Sequence, residues 1–137
     1  MDEIFSRCGF RCDLCMAYRS NVESHPENRQ LLSDGWFKYF GFRIQPENIV
    51  CDGCLNDQCI TLDKDCRVRP CVVDKGFENC ALCEVYGCVK LKERLVTFEG
   101  IQAHFSEPIP DKDRERFIQP YENAIHFEAI RREHGLR

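Results

Sequence analysis

No apolar run in the 137-residue sequence approaches the ~18 residues that a membrane helix needs, so a spanning segment is not expected. Strand signals are equally scarce: Arg43-Ile44 and Ile49-Val50 are too short to build a sheet. There are no long internal repeats and no low-complexity stretches. Positive charge is in deficit, with a formal net charge of −4, so the domain offers nucleic acid no overall attraction. Its basic groups (Lys90, Lys92 and Arg94; Arg131, Arg132 and Arg137) are interrupted by Glu93 and Glu133, as solvated helix faces are. The opening MDEIFSRCGF has no apolar core segment and already holds Cys8, so no secretory signal is expected. Catalytic signatures are missing too: there is no Ser-His-Asp order, no glycine-rich phosphate loop and no HExxH element.

What the chain does have is enough apolar material to fold, unevenly placed. Hydrophobic residues make up 43% and charged residues 31%, and ten Phe, four Tyr and one Trp can fill a core. Residues 51–88, however, carry eight cysteines and few large aliphatic side chains, too little to close over a core alone. Segments of that kind are held by disulfides or by metal. The total of eleven cysteines is odd, several are paired as Cys-x2-Cys, and no signal peptide is expected. In a reducing cytosol that combination points to metal.

The cysteine-poor stretches are expected to be helical. Ser24-His25-Pro26-Glu27 has the form of a capping box, with Pro26 in the first turn. Leu31, Leu32, Trp36, Phe37 and Phe40 then share a broad helical face, read as core, with Gly41 as the stop and Gly35 as a point where the helix could break. A second helix is expected from Cys88 through Leu91, Leu95 and Phe98 to Gly100. FSEPIPD reads as a linker, followed by a short helix over 112–118 capped by Asp111 and a last helix opened by Pro120 and ended before Gly135. The fold expected is mainly α, a small cysteine-rich metal-bound domain with knuckle loops between helices and little or no sheet. Residues 1–100 would form the metal-binding domain and residues 101–137 a helical extension packed on it.

Thiolate is the preferred soft ligand of zinc and of iron–sulfur clusters, which commonly take four. Three Cys-x2-Cys turns occur: Cys12–Cys15, Cys51–Cys54 and Cys80–Cys83, with Gly53 suited to the tight second turn. Cys8, Cys59, Cys66, Cys71 and Cys88 are spaced more loosely around them. All eleven are candidate ligands. Eight lie in 51–88 and three in 8–15, enough for two closed four-cysteine sites with three left over; spacing alone does not sort them. His25, His104, His126 and His134 show no paired ligand spacing and read as surface or core residues. The Cys-x3-Cys-x2-Cys run CGFRCDLC has the spacing that radical S-adenosylmethionine enzymes use, but Leu14 replaces the usual aromatic, and the chain has neither the length nor the βα alternation of their barrel.

The ordered set CGFRCDLCMAYR, CDGC, CRVRPC and KGFENCALCEVYGCVKL resembles the cysteine-rich family called domain of unknown function 3795, over roughly residues 8–91. Members show CGLxCxxCxAY, CxGC, C-x-I-R-x-C and KGxxxCxxCxxYxCxxL in this order. Departures are the six residues that separate Cys59 from Cys66, where many members keep this pair closer, and Pro70 before Cys71 where a basic residue is common. The resemblance implies a microbial cytosolic protein with zinc sites and brings no activity with it.

The function expected is therefore a cytoplasmic zinc-binding module, with two or more ions per chain that replace the missing core and with a surface for a protein or small-molecule partner. An iron–sulfur or thiol-redox protein using Cys8, Cys12 and Cys15 is the alternative from another class. A small metalloenzyme with one open metal position is third, with Asp13, Tyr18, Arg19 and Tyr86 as helpers beside the cysteines. Their plainer reading is that Tyr18 and Tyr86 pack over the metal loops while Asp13 and Arg19 are solvated. A nucleic-acid zinc finger ranks last.

Overall fold

A computed structural model describes residues 3–53, 68–77, 79–83, 86 and 88–136. The chain is mainly helical, with knuckle loops between helices; among the described residues β-structure is limited to two isolated bridges, Phe5 with Arg11 and Tyr18 with Cys51. No helix among them is long and apolar enough to cross a membrane.

The first knuckle leads into α1 (Arg19–Ser24) and then α2 (Asn28–Phe40). The expected capping box is not formed: Ser24 ends α1, and Glu27 stands at the start of α2 without a side-chain cap bond. The junction is tied instead by the buried Asn28, whose Nδ2 donates to Met16 O (3.2 Å) and Asn21 O (3.3 Å). Nor does α2 break at Gly35. The glycine lets the helix approach the Phe117 ring, because a Cβ there would fall 2.5 Å from Phe117 Cε1 and 2.8 Å from Cγ. Leu32, Trp36 and Tyr39 form the buried stripe, with Leu31 and Phe40 partly buried beside it. Phe37, expected on that face, is 53% exposed. Gly41 ends the helix in the left-handed region (φ 81°), its N–H donating to Trp36 O and Phe37 O.

After α3 (Val68–Lys75), the segment beyond Cys88 is two short helices rather than one: α4 (Val89–Lys92) and α5 (Phe98–Gln102), the latter running through Gly100. The cause is a side chain remote in sequence. Asn123 accepts from Val96 N (2.7 Å) through Oδ1 and donates to Arg94 O (2.9 Å) through Nδ2, claiming backbone groups a continuing helix would pair internally. Thr97 then caps α5 by accepting from Gly100 N (3.1 Å). The helix expected over 112–118 is a single α-turn, α6 (Asp111–Asp113), followed by a wide π-turn over Arg114–Ile118. A 3₁₀ turn at Gln119–Tyr121 leads to α7 (Asn123–Glu133), with Gly135 past its end at φ 69°.

Two buried clusters hold these pieces together. The larger joins Leu32, Trp36 and Tyr39 of α2 to Ala17 and Ile49 and to Ile101, Ile109, Phe117, Ile118 and Tyr121. Residues beyond 100 are thus part of the same core as the N-terminal half. The smaller cluster gathers Cys8, Val68, Val72, Cys80, Ala81, Leu91 and Phe127. Phe127, fully buried, is its largest side chain; burial of such a ring contributes about 1.5–3 kcal/mol.

Candidate metal centre

Each cysteine pair is shaped locally before it meets its partners. In the turn Cys12–Cys15, Leu14 N and Cys15 N both donate to Arg11 O (3.1 Å each), and Tyr18 N donates to Cys15 O (3.0 Å). Asp13 braces this turn. Its carboxylate accepts from Ile4 N (2.9 Å) and from Arg11 Nε (2.8 Å) and Nη2 (2.6 Å), and its side chain is only 5% exposed. The solvated role expected for Asp13 is therefore not the one it plays. Burial alone would raise its pKa, but the bonds from Arg11 and Ile4 hold the carboxyl below its usual range. Arg19 is exposed and pairs with Asp52 (2.6 Å). In the turn Cys80–Cys83, the buried Asn79 caps by accepting from Ala81 N (2.9 Å), and Cys83 N donates to Cys80 O (3.1 Å).

Tertiary structure then sorts the thiols. Cys51 N donates to Ala17 O and Arg19 N to Cys51 O, both at 2.8 Å, so the second knuckle is stitched to the exit of the first. Gly53, at φ 81°, donates its N–H to Cys51 Sγ (3.4 Å), while a Cβ on it would lie 3.6 Å from Cys12 Sγ and 3.5 Å from Tyr18 Cε1. Cys15 and Cys51 both pack against the larger core cluster. Burial pushes the Cys15 thiol up to about 11, with a hydrogen bond to Tyr121 opposing and the nearby Cys51 adding to the rise. Cys12, Cys15 and Cys51 thus occupy one neighbourhood.

Cys8 does not share it. Although in the same sequence motif, Cys8 is buried in the smaller cluster with Cys80, its Sγ 3.5 Å from Ser6 Oγ. Cys88 also packs against that cluster. Lys75 marks the rest: its Nζ lies 3.6 Å from Cys83 Sγ, and its ammonium is favoured by Cys83 first, opposed by burial, and favoured further by Cys71 and Cys88. The second neighbourhood therefore holds Cys8, Cys71, Cys80, Cys83 and Cys88. Tyr86 packs over it, edge-on to Phe127 (5.9 Å between centroids), with Arg131 above its ring at 4.4 Å.

Among the described residues no three His, Cys, Asp or Glu side chains are arranged to hold a metal ion. Cys54, Cys59 and Cys66 lie outside the described residues. The donor set of each neighbourhood nevertheless suits a thiophilic cation: its described sulfurs are cysteine thiols, wholly or partly buried. A cation supplies the charge that burial otherwise makes costly for a thiolate. Among the described residues, His25 is exposed beside Glu27, His126 Nδ1 donates to Gly9 O at 2.7 Å, and His134 Nδ1 donates to Ile130 O at 3.0 Å.

Several residues that shape the sites left no local signal. Asn123 donates to Cys8 O (2.8 Å), Tyr121 Oη lies 2.9 Å from Cys15 Sγ, and Arg131 donates to Ala81 O (2.7 Å). Each is more than 45 positions from its target, and ligand chemistry does not single it out. Gly9 is needed where it stands, at φ 91°, because a Cβ would meet Phe127 Cζ at 2.7 Å.

Fold and cysteine pattern together define a small helical, cysteine-rich domain. The chain belongs to the family described as protein of unknown function (DUF3795), which matches residues 4–93. No curated protein and no solved structure matches it.

Proposed function

We propose that the protein is a cytosolic zinc-binding module whose metals are structural and whose folded surface serves a protein or small-molecule partner. Cys12, Cys15 and Cys51 contribute to one ion's site. The second draws four ligands from Cys8, Cys71, Cys80, Cys83 and Cys88. The observation that carries this reading is the grouping of thiols from remote segments at the junctions of the fold, with Cys51 stitched to residues 17–19 and Cys80 in the same buried cluster as Cys8, its N–H donating to Arg7 O (3.2 Å). At those junctions a metal would cross-link chain that has little apolar surface of its own to bury. Exposed aromatic surface at Phe37 (53%) and Phe42 (46%) supports a partner-binding role.

Zinc at such sites contributes folding free energy, so removing it removes structure. Metal counting on anaerobically purified protein should give two zinc ions per chain, and excess chelator should abolish the helical circular dichroism. An apoprotein that keeps its full helical signal refutes a structural metal. Iron together with acid-labile sulfide replaces zinc by the iron–sulfur alternative.

A further inference from the structure

The first thiol group receives a contact from outside the family-matched region. Tyr121, 28 residues beyond the end of the match at 93, places Oη 2.9 Å from Cys15 Sγ. The residue is 8% exposed, and three aromatic rings hold its own: Phe10 edge-on at 5.3 Å, Phe40 at 6.0 Å and Trp36 at 6.2 Å. The backbone is fixed too, since Arg11 N donates to Pro120 O at 2.7 Å and so ties the residue before Tyr121 to the residue before Cys12. A phenol held this firmly on both sides is aimed at the sulfur by the fold.

We propose that Tyr121 is a positioning residue of the first metal centre, donating its hydroxyl proton to the metal-bound Cys15 thiolate. The inference rests on the zinc reading above. A metal-bound thiolate carries no proton, so the phenol must be the donor. Its hydrogen bond would draw negative charge off the Cys15 thiolate and fix that side chain in place for a bound ion. Both effects slow the release of Cys15 and hence of the metal. The C-terminal segment is then part of the centre's second layer as well as part of the core.

The test uses full-length protein loaded with zinc or with cobalt(II). Tyr121→Phe removes one oxygen and keeps the ring; Phe10→Leu alters the ring packing and keeps the oxygen. We expect Y121F to retain its circular dichroism, to shift the thiolate-to-cobalt charge-transfer band, and to release one zinc to excess chelator about 10- to 100-fold faster, the usual effect of losing such a partner. F10L should leave the cobalt band in place. Y121F indistinguishable from the native chain in band and release overturns the proposal while the zinc reading stands, and F10L reproducing both changes overturns it in favour of packing alone. Should Y121F not fold, cadmium-113-loaded native protein decides. The Tyr121 hydroxyl proton must show scalar coupling to cadmium through Cys15 Sγ, and a hydroxyl resonance without that coupling overturns the proposal. A native chain that takes up none of these metals overturns the zinc reading, and this inference with it.

Discussion

Replacing Gly35 by alanine sets two effects of opposite sign against each other. In an exposed helix interior the change favours the helix by about 1 kcal/mol, through the backbone freedom that glycine loses on folding. Gly35 is buried in the middle of α2, and its missing Cβ is where the Phe117 ring sits, with Cε1 at 2.5 Å and Cγ at 2.8 Å from the ideal position. The ring cannot step aside cheaply. Phe117 is 6% exposed, stacks on Tyr39 at 6.0 Å, and belongs to a cluster fed by both halves of the chain. Overpacking of this kind costs about 1–3 kcal/mol, and several ring carbons within 3 Å place it toward the upper end. The net expectation is a loss of about 1–2 kcal/mol, read as a urea midpoint lower by roughly 0.5–1 M at unchanged slope. Melts would be run in zinc-containing buffer so that metal loss does not contribute. Phe117→Leu combined with Gly35→Ala should cost less than the two changes summed, because the smaller side chain vacates the space the methyl needs. A midpoint that rises in G35A would refute the reasoning, since propensity would then outweigh contact.

Two further expectations concern the C-terminal helix. Asn123 is fully buried, and Asn123→Ala strands the partly buried Val96 amide and leaves the carbonyls of Cys8 and Arg94 with one donor fewer, which should cost about 1–3 kcal/mol; a loss under half of that in a urea melt argues that water replaces the side chain. His126 is held below its ordinary pKa by burial, with its bond to Gly9 O opposing. The unfolded chain therefore takes up the proton first, and stability should fall as pH drops from about 6.5 through the folded-state value. Asn at 126 can keep the donor to Gly9 but does not titrate, so His126→Asn should flatten that part of the pH–stability curve; a parallel curve assigns the acid sensitivity elsewhere.

By itself, the sequence determined the class of fold and the identity of the chemistry-bearing atoms. Helical spacing at Leu32 and Trp36, the stop at Gly41 and the knuckles at Cys12–Cys15 and Cys80–Cys83 are local matters, settled within a turn or two of chain by side-chain period and backbone freedom. Composition likewise located the deficit of apolar residues in 51–88. Tertiary structure decided how those pieces end and meet. Phe37, expected in the core, is exposed and Tyr39 is buried, because an apolar face several residues wide does not say which edge the partner will cover. The helix after Cys88 broke because Asn123, 27 positions beyond Val96, claims its backbone. Cys8 parted from Cys12 and Cys15 because the turn at Gly9, seated on Phe127, directs it into the other core cluster. In each case the deciding contact joins residues that loop closure brings together, and no window of sequence contains both sides of it.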